Sequence, residues 1–300
     1  MAVLKVDQLT KDYGNNKGVF NVNFEIEKGE VFGFLGPNGA GKTTTIRHIL
    51  GFSKPQKGSV SVGGLNSWNN PDIIQKDLGY LPGEIAFPND MTGTAFIQMI
   101  AKMRGITDMS RAEELMKIFQ LDPSGNLKRM SKGMKQKIGI VCAFMHDPKI
   151  LILDEPTSGL DPLMQSKFVD LIASEKAKGK TVLMSSHIFE EIEKTCDKVA
   201  IIKQGKIIAT LDSDDLSYTK QKVFKIKFET KDQCDKFSKE CLDFVNINFD
   251  KNQVEINVHD DKINELIQIL STYRLKYLKE IKHTLEDYFM RFYGGENNDK

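Results

Sequence analysis

Gly36-Pro37-Asn38-Gly39-Ala40-Gly41-Lys42-Thr43 is the stretch that decides the fold of this chain. It fits G-x-x-x-x-G-K-[ST], and its flanks have the order the motif needs. The strand-like run Val31–Leu35 precedes it, and the helix-like run Thr43 to Leu50 follows. Glycines let backbone N–H groups wrap a polyphosphate, and the start of the following helix adds the positive end of its dipole. Gly36, Asn38, Gly39, Gly41, Lys42, Thr43 and Thr44 are therefore the candidate nucleotide contacts. Lys42 is placed to reach the β- and γ-phosphates, and the Thr43 hydroxyl to hold Mg2+. The expected ligand is a nucleoside triphosphate.

A second element supports the first. Ile150-Leu151-Ile152-Leu153-Asp154-Glu155 is an apolar strand that ends in two carboxylates. A buried strand can aim one of them at a metal shell while the next faces an attacking water. Asp154 is read as the metal-side acid and Glu155 as the residue that polarises the water. Between the two elements, Met130-Ser131-Lys132-Gly133-Met134-Lys135-Gln136 opens an amphipathic helix. A serine at a helix N-terminus offers a phosphate both a hydroxyl and a positive dipole.

At this point the chain resembles the ATP-binding cassette family. Ser131 to Lys135 is similar to the family signature, usually Leu-Ser-Gly-Gly-Gln: Ser131 and Gly133 match, while Lys132, Met134 and Lys135 depart. The variant resembles that of a branch of exporter ATPases. Other family elements follow in order. Ser158-Gly159-Leu160-Asp161 resembles the loop that crosses to a partner subunit, although Asp161 before Pro162 is also an ordinary helix cap. His187 matches the switch histidine at the γ-phosphate, and Tyr13 the aromatic residue that stacks on adenine. One departure stands out. Gly83 in Gly79-Tyr80-Leu81-Pro82-Gly83-Glu84 occupies the place of the usual glutamine, which leaves Glu84 as a stand-in metal ligand.

The resemblance covers about residues 2 to 215. It implies an α/β P-loop NTPase fold of the cassette type: a RecA-like core, a β-subdomain, and a helical subdomain over about 84–147. It also implies ATP with Mg2+ as ligands and a dimer, because a complete site joins the phosphate loop of one subunit to the signature of another. That dimer is a homodimer or a pair with a second cassette ATPase. The expected role is ATP hydrolysis energising a separate transmembrane permease, with export of a peptide antibiotic, drug or lipid-like substrate. The alternative is a cassette ATPase acting on DNA or ribosomes.

Composition and patterning set the bounds. The 300 residues are 40% hydrophobic and 28% charged, and 42 basic side chains nearly balance 41 acidic ones. That balance argues against a polyanion-binding surface, so no nucleic acid partner is expected. Apolar runs such as 150–153 are far short of a membrane span, and the start lacks a signal-peptide pattern. The expected location is the cytoplasmic side of the membrane, held there through a partner. Cys142, Cys196, Cys234 and Cys241 have no C-x-x-C spacing and read as reduced thiols. Residues 84–147 read as helical: Phe96, Ile97, Ile100 and Met103 share one helical face, as do Met134, Ile138, Val141 and Met145. Ser110 and Glu113 fit a capping box. Residues 148–212 alternate strands and helices, the pattern of a parallel sheet. Beyond a polar linker near 212–216, residues 216–294 read as a small α+β domain in β-α-β-β-α-β order, the ferredoxin-like motif. In it, helices span 231–244 and 261–273, the last strand lies near 278–283, and a final helix starts at Leu285. Residues 295–300 form a polar tail.

Overall fold

The computed structural model describes residues 2–212, 221–240 and 242–281, with 285, 286 and 289. The linker beyond Asp212, the tail, and nearly all of the helix expected from Leu285 lie outside the described residues. The chain divides into two compact units, Met1–Ser213 and Asp214–Lys300.

The first unit holds two sheets. Strands β1 (Ala2–Asp12), β2 (Gly18–Glu27), β4 (Lys57–Val62) and β5 (Leu65–Asn66) form an antiparallel sheet in the order β2-β1-β4-β5. Strands β3 (Val31–Leu35), β6 (Leu78–Leu81), β7 (Ile150–Asp154), β8 (Thr181–Ser186), β9 (Lys198–Lys203) and β10 (Lys206–Asp212) form the second, ordered β10-β9-β3-β8-β7-β6. It is parallel from β9 to β6, and β10 pairs antiparallel with β9. Every residue of β3, β7 and β8 is buried. That explains why β3 and β7 read as continuous apolar runs rather than alternating ones. Phe24 of β2 stacks on Phe32 of β3 with ring centroids 5.0 Å apart, so the two sheets share one core.

The strand order builds the site. Although β8 follows β7 in the chain, it inserts between β3 and β7. Leu35 pairs with Ser186, and Asp154 with Ser185. The carboxyl ends of β3, β8, β7 and β6 therefore lie side by side, the edge where open α/β sheets bind ligands.

Helix α1 (Lys42–Ile49) follows β3, and the short α2 (Pro71–Ile74) precedes β6. Helices α3 (Gly93–Met103), α4 (Ser110–Ile118) and α5 (Lys132–Phe144) fill the stretch between β6 and β7, where the sequence predicts helices. The buried face of α3 differs from the expected one: Ile97 and Ala101 are buried, Phe96 and Ile100 are half-buried, and Met103 is 76% exposed. Ile97 and Ala101, an (i, i+4) pair, face the core, while the Phe96 ring packs edge-on against Phe87 at 4.9 Å. The capping box at Ser110 does not form. Asp108 captures both the Ser110 amide (2.9 Å) and its hydroxyl (2.5 Å), and Met109 takes the cap position without a side-chain bond. Helices α6 (Pro162–Ala177) and α7 (Phe189–Thr195) flank β8 in sequence.

In the second unit β11 (Gln221–Phe228), α8 (Lys231–Phe237), β12 (Asp243–Asn248), β13 (Gln253–His259), α9 (Ile263–Leu270) and β14 (Leu275–Ile281) run in β-α-β-β-α-β order. The sheet is antiparallel throughout and ordered β12-β13-β11-β14, the split β-α-β arrangement of the ferredoxin-like motif. Cys234 and Phe237 of α8 and Leu266 and Leu270 of α9 pack with Ile226, Phe228, Val254, Ile256 and Val258. The helices are shorter than the sequence predicts, ending at Phe237 and Leu270, and the last strand lies three residues earlier at its start. Among the described residues, no helix is long and apolar enough to cross a membrane.

Candidate nucleotide site

The phosphate loop bends into α1 at Gly41, whose φ of 114° is open only to glycine. A Cβ there would also lie 2.9 Å from Val19, so the start of β2 presses on the loop. Ala40 donates its amide to the Pro37 carbonyl. Among the described residues, the amides of Gly39, Gly41, Lys42 and Thr43 meet no backbone acceptor. These N–H groups, together with the exposed Asn38 and Gly39, form the donor cradle that a polyphosphate requires. Thr44, half-buried, turns its carbonyl to Nδ1 of His48 at 2.8 Å.

Lys42 is 5% exposed and its Nζ donates to the Gly36 carbonyl at 2.5 Å. The same ammonium pairs with Oε1 of Glu155 at 3.1 Å. The other oxygen of Glu155, Oε2, lies 2.5 Å from Nδ1 of His187. Glu155 thus bridges the loop lysine and the histidine from the end of β7. It holds a left-handed φ of 49°, uncommon for a residue with a side chain, and its amide is anchored on the Ser185 carbonyl at 3.1 Å. Strain of this kind persists only where surrounding contacts fix it. Asp154, 2% exposed, accepts the Thr43 hydroxyl on Oδ2 at 2.6 Å and the Ser185 hydroxyl on Oδ1. The Thr43 and Asp154 oxygens converge as a hard cation requires, so this pair fits Mg2+.

The remaining expected residues divide. Gly83 lies against Asp154: a Cβ built on it would be 3.5 Å from the Asp154 carboxylate. Glu84 is exposed, and among the described residues no bond ties it to Thr43 or Asp154. Tyr13 is 58% exposed, with the Lys11 ammonium 5.7 Å from its ring centroid. Ser131 caps α5, its Oγ accepting the Met134 amide at 3.2 Å, and Asp161 caps α6 by accepting the Met164 amide at 3.0 Å. Gly133 packs on Gly159, where a Cβ would come within 2.6 Å of the Gly159 carbonyl. Lys132 and Gly133 meet the loop 158–159, and among the described residues no bond links Ser131, Gly133 or Asp161 to Lys42 or His187.

Several polar groups to which the sequence assigned no role complete the site, most of them buried. Ser185 holds Asp154. Gln136 donates to the carbonyls of Pro156 (2.8 Å) and Glu155 (3.3 Å). Lys132 Nζ donates to the Ser158 hydroxyl at 2.8 Å. Glu191 binds Ser186 and Thr157. One signal was available: Ser185 follows the apolar run Val182–Met184 on a strand. On the other side of the Gly83 loop lies an apolar groove of about 1120 Å3, lined by Phe52, Pro82, Ile85, Phe96, Ile100 and Met103 among others.

Fold and site together define a phosphate-loop ATPase in which an acid-ended strand faces the loop lysine. The chain belongs to the ABC transporter family, as an ATP-binding and ATP-hydrolysing subunit. The family model described as ABC transporter matches residues 19–158. The chain is 34% identical to the bacitracin transport ATP-binding protein BcrA of Bacillus licheniformis, over 98% of both chains. Among solved structures, an ATP-binding subunit of an ABC transporter is 33% identical with a TM-score of 0.65, covering 71% of this chain and 91% of that one. The dimeric structure of the bacterial cassette MJ0796, 23% identical with a TM-score of 0.63, covers 70% of this chain and 98% of the other, and shares its fold.

Proposed function

We propose that this chain works as one of two cassettes on the cytoplasmic face of a membrane, where ATP hydrolysis drives a separate permease that exports an amphiphilic peptide antibiotic or a similar drug. The observation that carries the reading is the Glu155 bridge between Lys42 and His187 beside the Thr43–Asp154 pair. In this reading the phosphate loop binds ATP through its amides and Lys42. Thr43 and Asp154 would hold Mg2+, which would supply positive charge to offset that of the phosphates. Glu155 leaves Lys42 for the attacking water and takes its proton at a carboxylate oxygen. His187 orients that carboxylate and reaches the γ-phosphate, and Tyr13 stacks on the base.

Ser131 and Gly133 are assigned to the ATP of a second subunit, since no bond among the described residues ties them to their own chain's Lys42. The MJ0796 cassette is a dimer in its solved structure, which supports this arrangement. The permease is assigned to the apolar groove. Gly83 touches Asp154 while Pro82 and Ile85 line the groove, so the loop 82–85 can transmit a change at the metal site to a docked segment. The cargo class follows the relative of matching length, which is named for bacitracin transport.

Glu155→Gln tests the reading. It should lower ATP turnover by about 100-fold or more, the scale of a lost general base, and trap an ATP-dependent dimer on size exclusion. Turnover at the wild-type rate would remove Glu155 from its role. Recovery of the chain from detergent-solubilised membranes with a polytopic protein would support the permease; recovery with ribosomes or DNA would sink it.

A further inference from the structure

Among the described residues of α7, Glu191 is the carboxylate turned inward. It is 5% exposed, on the same helical face as Ile188, Ile192 and Thr195, whereas its neighbour Glu190 pairs with Lys194 at the surface. Its Oε2 accepts two hydroxyls, Ser186 Oγ at 2.6 Å and Thr157 Oγ1 at 3.2 Å. Both donors are themselves buried. Ser186 immediately precedes His187, and its oxygen accepts the Ile188 amide at 3.0 Å, so the turn that presents His187 is closed through Ser186. Thr157 lies two residues after Glu155. From the opposite side, Gln136 holds the Glu155 and Pro156 carbonyls.

We propose that Glu191 is a positioning residue for ATP hydrolysis: one carboxyl oxygen joins the segment after Glu155 to the turn that carries His187, so that the two groups keep their 2.5 Å contact and move as one unit. The proposal rests on the reading of Glu155 and His187 as the hydrolytic pair. The segment 155–158 is clamped between α5 and α7, which is what a residue held at a left-handed φ requires. The clamp also supplies a route from the Ser131 cap through Gln136 to the histidine turn. Among the described residues Glu191 bonds Thr157 and Ser186 and neither the phosphate loop nor Asp154, so its influence must pass through those two hydroxyls. Burial pushes its carboxyl up to about 7, the Ser186 and Thr157 hydroxyls pull against that, and the charges of Glu155 and His187 push and pull in turn. An uncharged glutamine at this position keeps the accepting oxygen, whereas alanine removes it.

Steady-state ATPase and Mg·ATP binding on the full chain provide the test. Glu191→Ala should lower kcat by about 10- to 100-fold, the scale of a small misplacement of catalytic groups, with KM and ATP affinity changed less than about 3-fold. Glu191→Gln should restore most of kcat. Combined with His187→Ala, the Glu191→Ala change should cost nothing further, because its effect runs through the histidine turn. Should Glu191→Ala fail to fold, Thr157→Val and Ser186→Ala pose the same question and should each lower kcat without raising KM. Wild-type kcat in all three variants overturns the proposal, as do losses that multiply with His187→Ala. Wild-type turnover in Glu155→Gln alone overturns the underlying assignment, and that result is read without any Glu191 variant.

Discussion

Glu191 also carries a pH signature at the scale of one residue. Its carboxyl is pushed from an ordinary 4.5 up to about 7 by burial, so the folded chain holds this proton more tightly than the unfolded chain does. The raised value stabilises the fold fully below about pH 4.5. That contribution is lost as pH rises toward 7, because only the unfolded state gains by ionising. The rise from 4.5 to about 7 corresponds to roughly 3 kcal/mol. Urea unfolding at pH 5 and pH 8 should therefore show Glu191→Gln gaining on the wild type by about 2–3 kcal/mol at the higher pH. Equal losses in both proteins would mean that Glu191 ionises freely in the fold. Asp154 and Glu155 were legible in the sequence because a strand ending in paired acids opposite a phosphate loop has one chemical use. Glu191 was not, because one acid among Glu190, Glu191 and Glu193 looks like a solvated helix face until the fold shows which one is buried.

At the scale of elements, Arg111 joins α4 to the end of α6. Glu175 is fully buried and accepts Arg111 Nη2 at 2.6 Å and Lys178 Nζ at 2.9 Å, with Lys180 on its second oxygen. Burial alone would raise the Glu175 carboxyl, but the hydrogen bonds from Lys180 and Lys178 and the Arg111 charge hold it below the usual range. Glu175→Ala leaves Lys180, itself 7% exposed, short of one of its carboxylate partners. Breaking a buried pair from one side typically costs about 3–5 kcal/mol, so the urea midpoint should fall by that equivalent. A change under about 1 kcal/mol would show the network to be solvated and its tether between elements weak. Nothing in the sequence announced this network, since its members are either far apart in the chain or crowded into one charged turn. Element ends were lost for a related reason. The spacing of Phe237 and Phe244 reads as two turns of one helix, yet the rings meet across elements, 5.9 Å apart, with Phe244 on β12. At Ser110 the local cap pattern was correct in residue type, but Asp108 reached the hydroxyl first.

At the scale of the whole molecule, the two units have separate cores. The cluster around Phe24, Phe32 and Phe34 draws only on the first unit, and the one around Phe228 and Phe237 only on the second. Order along the chain was enough to read a parallel sheet in the first unit and the β-α-β-β-α-β motif in the second, but not the insertion of β8 between β3 and β7. Independent cores imply that a defect in one is felt there first. Phe228 is fully buried, with ring centroids 5.0 Å from Phe237 and 5.7 Å from Tyr273. Phe228→Ala removes both contacts and leaves a cavity, at a typical cost of about 3–5 kcal/mol. A small unit has little stability to spare, so its melting transition should move down by about 10 °C or more on the scaling for domains of this size. ATP binding by the first unit should stay within about 2-fold of wild type, and its ATP-stabilised transition should not move. Calorimetry with and without Mg·ATP separates the two: a single transition that falls as a whole in Phe228→Ala, with ATP affinity lost alongside it, would show that the units fold as one.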